Sequence, residues 1–281
     1  MQASQSPPHA AVAAAVRPTE RRGRLNILGV RVDDSPLDES LARCARMLAL
    51  PPGGAGGRLH QVATVNPEFV MRARGDPAFR HLLNTVDLAT PDGVGIIVAS
   101  AILGRRLRGR TTGVALTERL AALAARDGHR LFLLGAAPGV AAAAGRLWAA
   151  RYPGLHIAGA YPGSPADSEA EEITARVTAA GADILFVAFG APAQDLWIAR
   201  HAAALPSVRL ALGVGGVFDY LTGRVPLAPP LVRRVGLEWL YRLYQQPWRW
   251  RRMLALPAFV AAVLGQRLGL MRPAPAGGSR A

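Results

Sequence analysis

With 281 residues, 51% of them hydrophobic and 19% charged, the chain can build one large α/β domain and is too apolar for global disorder. The formal charge is +14 and all 33 basic residues are Arg, which suits an anionic partner but fits an Ala/Arg/Gly/Pro-rich composition equally well. The lone Cys44 excludes an intrachain disulfide and a zinc cluster and fits a reducing compartment, and the six His lack any metal-binding spacing.

Residues 1–23 are Ala/Pro/Ser-rich and expected to be a disordered tail; the apolar run Ala10–Val16 is too short, and lacks the basic flank, for a signal peptide. Arg24–Val32 reads as a strand or hairpin arm. Pro36–Leu50 reads as a helix, with apolar residues at 37, 41, 45 and 48. PPGGAGG, residues 51–57, is a flexible connector. The next strand ends at Thr64-Val65, stopped by Asn66-Pro67. Short helices follow at Glu68–Arg74 and Pro77–Asn84, then a strand, Val86–Thr90, stopped by Pro91-Asp92-Gly93, and a helix, Gly93–Leu103.

From there helices (Thr112–Arg126, Pro138–Trp148, Ser168–Ala179, Pro192–Ala203) alternate with strands (Arg130–Gly135, Leu155–Gly159, Asp183–Phe189, Val208–Val214). Asp167 or Ser168 is the expected cap of the third of these helices. The alternation predicts an α/β fold over residues 24–225: a Rossmann-like, mostly parallel sheet with helices on both faces. Prolines at 226, 229 and 230 then lead into an aromatic, Arg-rich helical stretch, residues 231–245, and a basic segment, residues 248–271, containing Pro257. Residues 226–272 are therefore expected to form a basic helical C-terminal appendage, and 273–281 a disordered tail. Ten Arg and a single acid, Glu238, follow Asp219, placing nine of the fourteen net charges there. No run approaches the roughly 20 apolar residues of a bilayer span, although a segment lying on a membrane is allowed.

In an open α/β sheet, ligands sit beyond the carboxyl ends of the strands. Thr64, Asn66 and Asp92 stand at two such ends. Asp92, followed by Gly93 and Gly95, suits a general base, or an N-cap on the helix that follows. Thr64 and Asn66 offer donors and acceptors beside it, or turn chemistry. Arg110, in GRTTG, adjoins a helix start and reads as an anion site or as part of a solvated Arg-rich loop. Gly135 ends the strand of LFLLGAAPG, which lacks the dinucleotide fingerprint. Gly190 and Gln194 occupy the turn of FGAPAQDLW, where Gln194 can bind a sugar or base and Trp197 packs the core. Gly215 and Asp219 repeat the design in VGGVFD. There is no DxD clamp, so phosphates fall to Arg side chains and helix N-termini. In the tail, Arg242, Arg249 and Arg252 have helical spacing among Trp and Tyr. That pattern fits a membrane interface or a docked helix with a wet Arg face; no nucleic-acid recognition motif accompanies it.

With those residues in view, the chain resembles the WecG/TagA/CpsF family of bacterial glycosyltransferases from about Leu25 to Arg252. The resemblance rests on NILGVRVD, TVNPEF, DLATPDGVG, GRTTG, LFLLGAAPG, FGAPAQDLWIARH, GVGGVFDYLTGRV and GLEWLYRLYQQPWRW. It implies an inverting, metal-independent transferase without cofactor, using a UDP-sugar donor (N-acetylmannosamine, its uronic acid, or glucose in exopolysaccharide assembly). It implies a polyprenyl-diphosphate-linked saccharide as acceptor, and a cytoplasmic protein peripheral on the inner face of the plasma membrane, with a homo-oligomer left open. Asp92 then takes the place of the general base, with Thr64 and Asn66 beside it. Arg110 and Gln194 fall on donor- or acceptor-binding positions, and the basic tail meets the membrane and closes over the site. Leu227, Asp195, Gln246 and Thr111 depart from the family's usual Arg, Glu, Glu and Val. A nucleotide-dependent oxidoreductase and a non-catalytic membrane adaptor are the alternatives from other classes.

Overall fold

In the computed structural model of the chain, the described residues are 23–50, 58–229, 231–232, 236–247, 250 and 254–270. The expected terminal tails and the 51–57 connector lie outside them, apart from Gly23.

The chain opens with an antiparallel hairpin, β1 (Arg24–Ile27) and β2 (Val30–Asp33), so the first segment is two strands rather than one. Ile27 pairs with Val30, leaving a two-residue turn at Leu28-Gly29 with φ of 52° and 89°. Both values are positive, as a primed hairpin turn requires, and Asn26 Oδ1 accepts from Gly29 N. The hairpin covers the sheet's edge: Asp33 accepts from Ala89 N at 2.8 Å, and Arg31 Nη1 donates to Asn84 O at 3.1 Å.

After α1 (Leu37–Ala49) come β3 (His60–Val65), α2 (Pro67–Gly75), α3 (Pro77–Thr85), β4 (Leu88–Pro91), α4 (Val94–Ile102) and α5 (Gly113–Asp127). The second half runs β5 (Arg130–Gly135), α6 (Val140–Arg151), β6 (His156–Tyr161), α7 (Ala170–Ala179), β7 (Ile184–Ala188), α8 (Ala193–His201), β8 (Leu210–Gly213) and α9 (Val217–Leu221). The tail adds α10 (Glu238–Gln245) and α11 (Ala255–Arg267). A 3-10 turn, Asp167–Glu169, precedes α7, whose N-cap is Glu169 without a side-chain capping bond; neither Asp167 nor Ser168 caps it.

Six strands form one parallel sheet in the order β4-β3-β8-β7-β5-β6. The central strands read as near-continuous apolar runs because both faces are covered. Leu131, Leu133, Ile184, Phe186, Leu210 and Leu212 face a layer built by α1, α5, α6 and α9. Their alternates face the opposite side, where α7 and α8 pack on β5, β7 and β8, and the hairpin, α2, α3, α4 and α11 pack on β3 and β4. Phe259, Ala262 and Val263 of α11 are buried in that second layer.

Because all six strands are parallel, their carboxyl ends share one edge. The chain leaves β3 for α2 on one face and leaves β8 for α9 on the other, which opens a crevice between neighbouring strands.

Candidate active site

The loops after β3 and β4 meet a third segment, the start of α5. Thr64 pairs with Thr90 across the strands, and Asp92 N donates to Val65 O at 2.8 Å. Pro91 O in turn accepts from Thr111 N at 2.8 Å, which brings the GRTTG loop against the end of β4. Thr111 is fully buried and donates to Ser35 O at 2.9 Å, so the loop is pinned from behind as well.

The cap of α4 is Gly93, at φ 85° and without a side-chain capping bond. The Asp92 carboxylate instead accepts from Gly113 N, the first residue of α5, at 3.3 Å. Thr112 caps α5 through Ala115 N. A carboxylate at that end is favoured by the helix dipole. A Cβ on Gly113 would lie 3.4 Å from Thr64 Oγ1 and 3.8 Å from Asp92 Oδ2, so the absence of a side chain there lets the hydroxyl and carboxylate face one space. Asn66, the residue after β3, is the N-cap of α2, its Oδ1 accepting from Phe69 N at 3.0 Å. Asp92 and Thr64 stand out in the sequence; Gly113 does not, its one signal being the glycine that closes GRTTG.

At the other strand ends, Gln194 is buried, and its Oε1 accepts from both Gly190 N and Gly215 N at 3.1 Å. Three residues expected to bind substrate are thus bonded to one another, and this oxygen clamps the loops after β7 and β8. Gly135, at φ 98°, allows a close approach: a Cβ there would come within 2.8 Å of the Ala188 carbonyl carbon. Asp219 is on α9, partly exposed, 3.7 Å from Arg224 Nε. Asp195, beside Gln194, is 1% exposed with no partner for Oδ2, and burial pushes its carboxyl from 3.8 up to about 7.

A cavity of about 520 Å³ opens beside the first turns of α5, between α5 and α9. Its walls include Val114, Val217, Leu221 and Leu227; Arg110, Thr112 and Glu238 stand on one side, and Glu118 with Arg151 on another. The cavity begins at Thr112, next to the glycine that bonds Asp92, but Asp92, Thr64, Asn66 and Gln194 do not line it. Burial would raise the Glu118 carboxyl, yet hydrogen bonds from Tyr152, Trp148 and Arg151 outweigh this and hold it below the usual glutamate range. Arg110 Nη1 lies 3.4 Å from Glu238 of α10. A Cβ on Gly236 would meet Val94 Cβ at 2.7 Å, so the tail passes against the first residue of α4, two positions from Asp92. Glu118 and Arg151 line the cavity without any signal in the sequence, while Glu238 is visible there as the one acid in a basic tail.

Arg249 and Arg252 lie outside the described residues, and of Arg242 only the backbone, in α10, is described. Among the described residues no helix is long and apolar enough to cross a membrane, and no group of three or more His, Cys, Asp or Glu is placed to hold a metal ion.

A model of the glycosyl transferase WecG/TagA/CpsF family matches residues 25–273. A protein of Bacillus spizizenii strain W23, named N-acetylglucosaminyldiphosphoundecaprenol N-acetyl-beta-D-mannosaminyltransferase, is 35% identical over 212 residues, covering 75% of this chain and 81% of that protein. A protein of the same name from Bacillus subtilis strain 168 is 34% identical over 203 residues, covering 72% and 78%.

Proposed function

The chain belongs to the WecG/TagA/CpsF family of glycosyltransferases, and we propose that it moves a sugar from a UDP-sugar to a polyprenyl-diphosphate-linked saccharide. N-acetylmannosamine is the first donor sugar to test, because both relatives are named for its transfer onto a diphosphoundecaprenol-linked N-acetylglucosamine. The observation that carries the reading is the meeting of Asp92, Thr64 and the α5 N-terminus at the carboxyl edge of the sheet.

Asp92 accepts the proton of an acceptor hydroxyl as its oxygen attacks the anomeric carbon on the face opposite UDP. The bond from that carbon to the diphosphate oxygen breaks, the configuration inverts, and UDP leaves with the bonding pair. Thr64 and Asn66 flank the base. The diphosphate charge is met by Arg110 and by helix N-termini, with arginines of the tail, Arg242, Arg249 and Arg252, joining from the membrane side; no metal is invoked. The 520 Å³ cavity beside Arg110, with its apolar walls, suits the part of the acceptor nearest its lipid.

The test is incubation of the full chain with a panel of UDP-sugars and a short-chain lipid-diphosphate N-acetylglucosamine, read by product mass. One added sugar and released UDP are expected. Release of free sugar without a lipid product would overturn the acceptor assignment, and no turnover with any UDP-sugar would overturn the donor.

A further inference from the structure

α4 departs from the usual surface helix, which turns a polar face to water. Residues 93–104 carry no charged side chain, and Ser100 is their one polar residue. Ile96, Ala99 and Ser100 are buried, yet Val94, Val98 and Ala101 form an exposed stripe along the other side, Val98 by 46%. α11 repeats the pattern. Phe259, Ala262 and Val263 are buried in the same layer, while Val260, Leu264 and the C-cap Leu268 are exposed by 39%, 45% and 71%. Of its two polar residues, Gln266 is bonded to the hairpin and Arg267 ends the helix. Because α4 and α11 pack on each other and sink their inner faces into one layer, their outer faces look away from the sheet side by side. The rim is basic: Arg105 and Arg106 follow α4, Arg267 closes α11, and all three are exposed. Residues 93–117 and 239–281 contain no Asp or Glu.

We propose that α4, a helix of the core rather than of the tail, joins α11 in a surface that inserts shallowly into an anionic lipid bilayer. An apolar double stripe rimmed by arginines matches acyl chains beneath anionic headgroups. A second copy of the chain fits less well, since a twofold contact sets two arginine rims together with no acid from either stretch between them. Neither helix is long and apolar enough to span the bilayer, so the contact is one-sided. α4 begins two residues after Asp92, so docking this helix sets that carboxylate near headgroup depth, where a lipid-linked diphosphate lies. Only this last consequence rests on the glycosyltransferase reading.

The experiment is co-sedimentation of the full chain with vesicles of phosphatidylcholine, alone or mixed with phosphatidylglycerol. It compares the wild type with Val98→Glu, Leu264→Glu and Leu147→Glu; Leu147 is 45% exposed on α6, in the opposite layer. The wild type should bind the mixed vesicles, and less so as salt rises. Val98→Glu and Leu264→Glu should each weaken binding about fivefold, because the headgroups repel the new carboxylate, while Leu147→Glu binds like the wild type. Cys44 is buried, so an environment-sensitive dye on Val98→Cys reports the contact directly even where a glutamate variant fails to fold. Its emission should shift to the blue on mixed vesicles, and that of a dye on Leu147→Cys should not. Wild-type protein left in the supernatant, or a Val98→Cys dye that does not shift, overturns the proposal. So does a Val98→Glu variant that loses a dimer by light scattering but keeps its vesicle binding. Vesicle binding without turnover of any UDP-sugar upholds the lipid surface and sinks the donor assignment alone.

Discussion

The Asp92 carboxylate and the Thr64 hydroxyl meet across the space that a side chain on residue 113 would occupy. Asp92 is bonded to Gly113 N and not to the cap of α4, so its placement depends on how α5 docks on the strand ends. Replacing Asp92 by Asn keeps the shape and removes the base. Turnover should fall about 10²–10⁴-fold, with UDP affinity nearly unchanged by calorimetry. Full turnover in Asp92→Asn would end the assignment.

Gly113→Ala separates stability from activity. Its Cβ would sit at ordinary contact distance from Thr64 and Asp92, without a clash. Ala at a helical backbone position restricts the unfolded chain and should stabilise by about 0.4–1 kcal/mol. The same methyl intrudes between base and hydroxyl, so turnover should drop while Tm holds or rises.

Glu238 pairs with Arg110 from the tail and competes with any anion for that guanidinium. Glu238→Gln should strengthen binding of inorganic pyrophosphate, read by calorimetry at low salt, by roughly two- to fivefold, in keeping with the modest worth of an exposed pair. Arg110→Ala should weaken it in either background.

Two carboxyls give opposite stability profiles with pH. Asp195 has its native value raised, so between about pH 4 and 7 the folded chain holds a proton that the unfolded chain has lost. Stability should therefore fall as pH rises through that window, by up to about 1.4 kcal/mol per unit, and the slope should vanish in Asp195→Asn. Glu118 is held low, so its contribution is present above the ordinary glutamate range and is lost on acidification through its native value. Urea melts of the wild type, Asp195→Asn and Glu118→Gln across pH 3–8 read both slopes.

Gln266 joins α11 to the opening hairpin: Oε1 accepts from Leu28 N at 2.7 Å, and Nε2 donates to Asn26 O at 3.0 Å. Gln266→Ala should cost about 1–3 kcal/mol, because Leu28 N loses its acceptor. Limited proteolysis should then cut the tail faster, and an unchanged cleavage rate would contradict the anchoring role.

β3, β4, β5 and β8 were legible because each is a compact apolar run ended by Gly, Pro or Asn, and the turns of the βα units are short. The strand-end position of Asp92 was legible because its strand stops at Pro91. The bonds that Gln194 makes to the Gly190 and Gly215 amides were not, because a polar side chain at a strand end looks the same in sequence with or without them. Burial of Asp195 depends on the missing side chain at Gly213, eighteen residues away in sequence, which no local pattern reveals. α9 is only five residues long and carries too little periodicity to be read. The docking of α11 depends on a hairpin more than two hundred residues earlier, a pairing that local periodicity cannot encode.

That last pairing bears on synthesis. Ile27, Val30 and Val32 share a buried layer with Phe259, Ala262 and Val263, separated by nearly the whole described chain. A hairpin that leaves the ribosome more than two hundred residues before α11 must wait for that helix before its apolar side is fully covered, so the nascent protein carries an exposed sticky surface until α11 has emerged. Pausing the ribosome before α11 emerges should leave that layer open to chaperones, while the β5–β8 half, whose partners lie close in sequence, is already closed.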